Sequence, residues 1–227
     1  MKRNVRIAKE LVKLAKSLVA TNDDNQNRLD EAEKAGKKYI IIQDGTDKKV
    51  QACKDINTFV GTIRRGTIGG IVESETNLSQ KDSCWIGPGV RVFENACVFG
   101  DAQVYGPTYI YKNALVYGHA FIQPKEGNVI IDDNAQVYDN VEITGHCTIH
   151  ENAQVYENAE INGNGVNIHG NALIYNDAII GDGVEVFGEA EIFDDAEISN
   201  HAIISGNAVI CGDAKVNFNV SKGKINK

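Results

Sequence analysis

The chain has 227 residues, a formal net charge of −8, 22 glycines, three prolines and five cysteines. A hydrophobic content of 42% with 24% charged residues describes a folded chain and excludes a wholly disordered one. The acidic balance argues against nucleic-acid binding, which wants a basic face, and no apolar run approaches the ~20 residues of a membrane span. An odd number of cysteines with no C-x-x-C predicts neither a disulfide framework nor a zinc site, and points to a reducing compartment.

The charge is unevenly spread. Residues 1–20 carry six basic side chains against Glu10 alone, a net of +5, which leaves −13 in the remainder. Ala8, Leu11, Val12, Ala15, Leu18 and Val19 recur at the spacing of an amphipathic helix. Ile7, Leu11, Leu14 and Leu18 are spaced like a short coiled-coil seam and are the expected docking positions of that helix. Basic residues interrupt every apolar stretch, so a signal peptide is not expected. Residues 21–36, opening on Thr21-Asn-Asp-Asp-Asn-Gln-Asn, read as a polar linker, although the run Leu29–Lys38 could also extend as a short charged helix. A β-rich block follows over 37–84. Tyr39–Gln43 is a strand, Asp44-Gly-Thr-Asp a turn, and Val50–Val60 a returning strand, with glycines 61, 66, 69 and 70 marking close turns.

From Ile86 onward a six-residue period outweighs every other signal. Its 22 first positions, beginning Ile86, Val92, Val98 and Val104 and ending at Val216, are all Ile or Val. The fourth residue after each is small, usually Ala. The residue before that is usually Asn or Asp, types that tolerate a left-handed corner. β-branched side chains facing inward from short strands, with small residues at sharp corners, predict stacked coils around a linear core. The pattern resembles the left-handed β-helix of hexapeptide-repeat proteins, and that resemblance implies the handedness, three strands and about 18 residues per coil. The expected fold is therefore an all-β solenoid of about seven coils over 85–220, roughly 34 Å long, with a cap over 37–84 and a tail at 221–227.

A second resemblance covers the join. Gly66-Thr-Ile-Gly-Gly-Ile-Val-Glu-Ser-Glu-Thr-Asn-Leu-Ser-Gln80, followed by Cys84-Trp-Ile, is similar to the leader of an uncharacterised hexapeptide-repeat family of bacteria and phages whose members often carry a transferase label. The similarity spans about 37–220 and brings no catalytic motif with it. The leader is expected to cover unpaired strand edges, with Trp85 at the seam.

Outward positions carry the functional signal. Phe99, Tyr117, Tyr138, Tyr156, Tyr175 and Phe193 fall in one column. Two readings stand: a stacked ladder that holds the coils, or an interaction stripe. The stripe spans ~24 Å, against ~22 Å for a helix over residues 5–19. A second column reads Phe93, Tyr111, Asp132, His150, His169 and Phe187. Asp132, His150 and His169 form the candidate catalytic group. A flat column does not converge on one ion, so no metal is expected. His119, His146 and His201 read as corner variants and Cys147 as core. Gly163-Asn-Gly and Gly181-Asp-Gly read as corners rather than phosphate loops, because no helix follows them.

The expected function is a non-catalytic structural or interaction protein, a rigid β-helix attached through its N-terminal helix to a larger assembly. Residues 6–20 are similar to N-terminal segments on some tailed-phage virion proteins, a resemblance that implies a virion as the expected assembly. The expected partner is another protein or a second copy, with a trimer among the homo-oligomers, and the expected location is the cytoplasm, or the virion if phage-encoded. The basic helix could also lie on an anionic membrane, against the repulsion of the acidic body. The hexapeptide-repeat resemblance implies an alternative, an acyltransferase working as a trimer, with coenzyme A as cofactor and a His base between prisms. Otherwise no cofactor is expected.

Overall fold

The 22 Ile and Val positions from Ile86 to Val216 are each at most 1% exposed, and the small residues that follow them are as deeply buried. The six-residue period therefore reports inward-facing side chains. A computed structural model describes residue 13 and residues 23–226. The predicted N-terminal helix, with Ile7, Leu11, Leu14 and Leu18, lies outside the described residues.

Strands of two or three residues pair in parallel with the equivalent strand one coil on, which generates three flat faces. The tyrosine face pairs Cys97, Leu115, Gln136, Gln154, Leu173 and Glu191 in succession. The histidine face pairs Arg91, Tyr109, Ile130, Thr148, Asn167 and Glu185. The third face is an eight-stranded sheet from Trp85–Ile86 to Lys215–Val216. The fold is thus an all-β parallel solenoid, and its core is one continuous apolar column.

The solenoid has about nine turns rather than seven. One extra coil is built from the leader: Ile71–Val72 pairs with Arg91–Val92, Leu78 bridges to Val98, and Trp85–Ile86 pairs with Gln103–Val104. The inward residues there are Val72, Leu78 and Ile86, so a leucine and an irregular spacing interrupt the Ile/Val count. At the other end Val220–Asn226 stacks on Ile203–Cys211 and begins a further turn within the segment read as a tail.

The corner chemistry also differs from expectation. The left-handed residue lies one place before the Asn or Asp position. It is Glu94, Lys112, Asp133 and Glu151 at one corner of successive coils and Asp139, Glu157, Asn176 and Asp194 at the next, with φ between 54° and 60°, and a glycine at most others, while at the third corner Asn200 and His201 are both left-handed. Side chains impose a cost of ~1–2 kcal/mol on that conformation. The carboxylates among them offset it by accepting the backbone N–H of the next corner: Asp133 accepts from Glu151 (3.3 Å), Glu151 from Gly170 (2.7 Å) and Asp194 from Gly212 (3.0 Å). The Asn position has another task. Asn95, Asn113, Asn134, Asn152 and Asn171 form a chain of amide hydrogen bonds of 3.0–3.1 Å running along one edge.

At the N-terminal end, residues 23–34 form a helix, α1, where the sequence reading placed a linker. Leu29 and Ala32, one turn apart, pack on Cys53 and Ile40, and Arg65 ties the helix down through Asp30 (2.5 Å) and Glu33 (2.9 Å). Strands β1 (Tyr39–Asp44) and β2 (Asp47–Ala52) form an antiparallel hairpin. A small hairpin, β3 (Ile56–Thr58) and β4 (Gly61–Ile63), follows in place of one long returning strand. Its exposed tip residue Phe59 reaches His119 and Phe121 of the third face at centroid distances of 5.8 and 6.4 Å. Strand β5 (Ile68–Val72) pairs antiparallel with β2 and parallel with Arg91–Val92, so the hairpin extends the histidine face. Trp85 is buried at this junction. No helix among the described residues is long and apolar enough to cross a membrane.

Candidate functional site

The tyrosine stripe is a closed stack. Phe99, Tyr117, Tyr138, Tyr156, Tyr175 and Phe193 follow one another at centroid distances of 4.7–5.0 Å with planes within 8° of parallel. That spacing is the strand separation of a sheet, so each ring lies flat above the last, with its faces covered and its edge toward solvent. All six are half-buried. Tyr117 and Tyr138 donate their hydroxyls to Gln136 and Gln154, each at 3.2 Å. Burial, reinforced by the neighbouring phenols, pushes Tyr138 up to about 12, and burial also raises Tyr117, Tyr156 and Tyr175. A planar ligand finds no free ring face within the stack.

The candidate catalytic group does not assemble around a cleft. His150 and His169 stack at 4.9 Å, and His169 stacks on Phe187 at 5.0 Å, continuing the ladder logic on the second face. Asp132 turns to Lys112, whose Nζ lies 3.1 Å from its Oδ2, and its Oδ1 accepts the Asp133 amide at 2.7 Å. It therefore orients neither imidazole. Lys112 also binds Asp133 at 2.7 Å, and that hydrogen bond holds the Asp133 carboxyl below the usual carboxylate range.

The partners of the histidines are groups that the column reading did not single out. His150 Nε2 meets Asn167 Oδ1 at 3.2 Å. His169 Nε2 meets Glu185 Oε1 at 3.3 Å, and its Nδ1 lies 3.9 Å from Glu151 Oε2. A general base needs one nitrogen held and the other aimed at substrate; His169 has a carboxylate at each. Glu185 was findable in principle, since it stands in the strand position directly across from Asn167 on the next coil. Among the described residues no cluster of three or more His, Cys, Asp or Glu side chains is placed to hold a metal.

Cys147 is core, and burial pushes its thiol up to about 12. The five cysteines are all free. Of the corner histidines, His201 takes the left-handed conformation at φ 58°, while His119 and His146 do not.

One buried polar constellation escaped the sequence reading. Lys38 is 2% exposed. Its Nζ donates to the carbonyls of Lys81 (3.0 Å) and Cys84 (2.9 Å) and approaches Cys84 Sγ at 3.1 Å. Next to it the Tyr39 hydroxyl donates to the Leu78 carbonyl at 2.5 Å. Together these groups fasten β1 to the first coil by satisfying loop carbonyls that have no strand partner. Hydrophobicity alone would have placed Lys38 in solvent.

Two cavities lie at this same end. One of about 560 Å³ lies between α1 and the outer side of the β1–β2 hairpin, and one of about 400 Å³ lies between Lys49, Gly70 and Arg91. No family model matches the chain, and no curated protein matches it.

Proposed function

We propose that the chain is a non-catalytic interaction protein, a rigid β-helix that its basic N-terminal segment attaches to a protein partner or a second copy within a larger assembly such as a virion. The observation carrying this reading is the engagement of the candidate catalytic side chains: the imidazoles are stacked and hydrogen-bonded along a flat face, and Asp132 is held by Lys112. A prism whose outward residues bond mainly to their own neighbours is suited to spacing and presentation. The resemblance to phage and bacterial hexapeptide-repeat proteins supports the same setting. Sedimentation velocity on the full chain and on a Leu11→Asp, Leu14→Asp variant tests the attachment. The wild type should self-associate, and the variant should sediment as a monomer. Identical sedimentation of the two would remove the N-terminal segment from the self-association reading.

The acyltransferase reading rests on the same family resemblance and on one feature, the carboxylates on both sides of His169. Saturable binding of acetyl-coenzyme A, lost in His169→Ala, would favour it over the non-catalytic reading.

A further inference from the structure

The clamp at Lys38 contains a pairing of amine and thiol found nowhere else among the described residues. Lys38 Nζ lies 3.1 Å from Cys84 Sγ, and the two residues are 2% and 0% exposed. The other partners of Nζ are the carbonyls of Lys81 (3.0 Å), Cys84 (2.9 Å) and Asp82 (3.4 Å). No carboxylate joins them, so the one acid within hydrogen-bond distance of this ammonium is the Cys84 thiol. Cys53, Cys97 and Cys211 have only a backbone carbonyl beside the sulfur, and Cys147 lies in the core.

Three properties suit the pair to oxidative chemistry. First, a peroxide oxidises the thiolate rather than the thiol. Burial raises the Cys84 thiol, while the Lys38 charge and hydrogen bond oppose that rise, so the thiolate forms against the ammonium. Second, the pair lies directly beneath the loop 79–83, in which Lys81 and Asp82 are exposed and Asp82 is left-handed (φ 52°). A surface loop of this kind opens without global unfolding, and that opening admits an oxidant little larger than water. Third, a sulfenic acid formed on Cys84 would already touch a primary amine, and nitrogen captures sulfenic acids as sulfenamides.

We propose that Lys38 and Cys84 are the site of a reversible sulfenamide cross-link formed with hydrogen peroxide. The Cys84 thiolate attacks one peroxide oxygen and the O–O bond breaks. The departing hydroxide takes a proton from the Lys38 ammonium and leaves as water. Cys84 is then a sulfenic acid, oxidised by two electrons, and Lys38 a neutral amine. Nζ attacks the sulfenyl sulfur, an S–N bond forms and the S–O bond breaks. The second hydroxide takes the proton that nitrogen sheds and leaves as water. One peroxide is thereby reduced to two waters, and the protein loses two hydrogens. Dithiothreitol returns the thiol and the amine, its own thiols becoming a disulfide. The link makes the attachment of β1 to the first coil covalent, across 46 positions of sequence. It is independent of the attachment reading and holds or fails separately.

The experiment treats the full-length protein with excess hydrogen peroxide, then denatures it, blocks free thiols by alkylation and measures intact and tryptic masses. The main oxidised species should be about 2 Da lighter than the reduced protein before alkylation. Its digest should contain residues 38–48 joined to residues 82–91, a species that dithiothreitol abolishes. Cys97→Ser should retain the joined peptides and Cys84→Ser should lose them. Cys84 left as free thiol, carried on to sulfinic acid with Lys38 unmodified, or joined to Cys97 instead would each overturn the proposal. The wild-type digest decides alone if either variant does not fold.

Discussion

Replacing Tyr156 tests whether the ladder holds the coils together. Its ring lies between those of Tyr138 (5.0 Å, 3° from parallel) and Tyr175 (4.9 Å, 7°). Truncation to Ala exposes or removes roughly 80–100 Å² of half-buried apolar surface, about 2 kcal/mol. It also removes two stacked contacts, each contributing about 1 kcal/mol beyond area. Tyr156→Ala should therefore cost about 4 kcal/mol. Tyr156→Leu retains most of the apolar area and loses both stacks, so about 2 kcal/mol is expected. Tyr156→Phe keeps the stack and should be neutral within about 0.5 kcal/mol, because Tyr156, unlike Tyr117 and Tyr138, donates no side-chain hydrogen bond among the described residues. Equilibrium urea unfolding followed by circular dichroism separates the three. Equal stability of the Leu and Phe variants would refute the stacking argument. A loss below about 1 kcal/mol for the Ala variant would refute the ladder as a structural element.

Alkali should act on the same column. Burial raises Tyr138 from 10.0 to about 12, and Tyr117, Tyr156 and Tyr175 shift in the same direction. The unfolded chain therefore loses phenolic protons first, so the contribution to stability is intact below about pH 10 and falls as pH rises toward 12. The urea midpoint should drop over that window, and less so in Tyr138→Phe; a flat profile contradicts the assignment. At the corners, a methyl group on Gly163 would overlap the Gly181 carbonyl of the next coil, whereas Gly165 (φ 75°) faces open space. Gly163→Ala should cost more than about 3 kcal/mol or prevent folding, and Gly165→Ala about 1–2 kcal/mol. Comparable thermal melts for the two would show that the coils can move apart at that corner. Lys38→Met strands the carbonyls of Lys81 and Cys84 and should cost about 2 kcal/mol. Faster amide exchange confined to β1 and the first coil is the expected signature, and unchanged exchange there excludes the clamp.

The solenoid was legible because its rule is local and strict: one β-branched side chain every six residues, in a short strand that can bury nothing else. The aromatic column was legible for the same reason, since position in the hexad determines which way a side chain points. What escaped was whatever broke that locality. Leu78 replaces the β-branched residue and the leader's spacing stretches, so the first coil went uncounted. The helix α1 buries only Leu29 and Ala32, too few apolar residues to register as a period. The Asn preference at corners was visible, but its cause is a side-chain ladder between coils, and the left-handed residue stands one place earlier. Among the candidate site residues, the column placed His150 and His169 together correctly. Of the acidic partners of His169, Glu185 comes from an outward strand position and Glu151 from a corner, and the histidine pairings depend on register between coils 16–18 residues apart.

The backbone hydrogen bonds of the three faces run along the prism's long axis, and this governs how the molecule would carry a mechanical load. Tension applied between its two ends opens those bonds in sequence rather than shearing them together, so the weakest terminal coil yields while the others stay intact. Each coil released converts one strand spacing, about 4.8 Å, into some 18 residues of chain, as the pairings Gln136–Gln154 and Ile143–Ile161 set it. Extended, that chain spans about 60 Å. Sideways bending, in contrast, must compress the interlocked Ile and Val column, which close packing resists. The prism is thus stiff as a strut and yields stepwise as a tether.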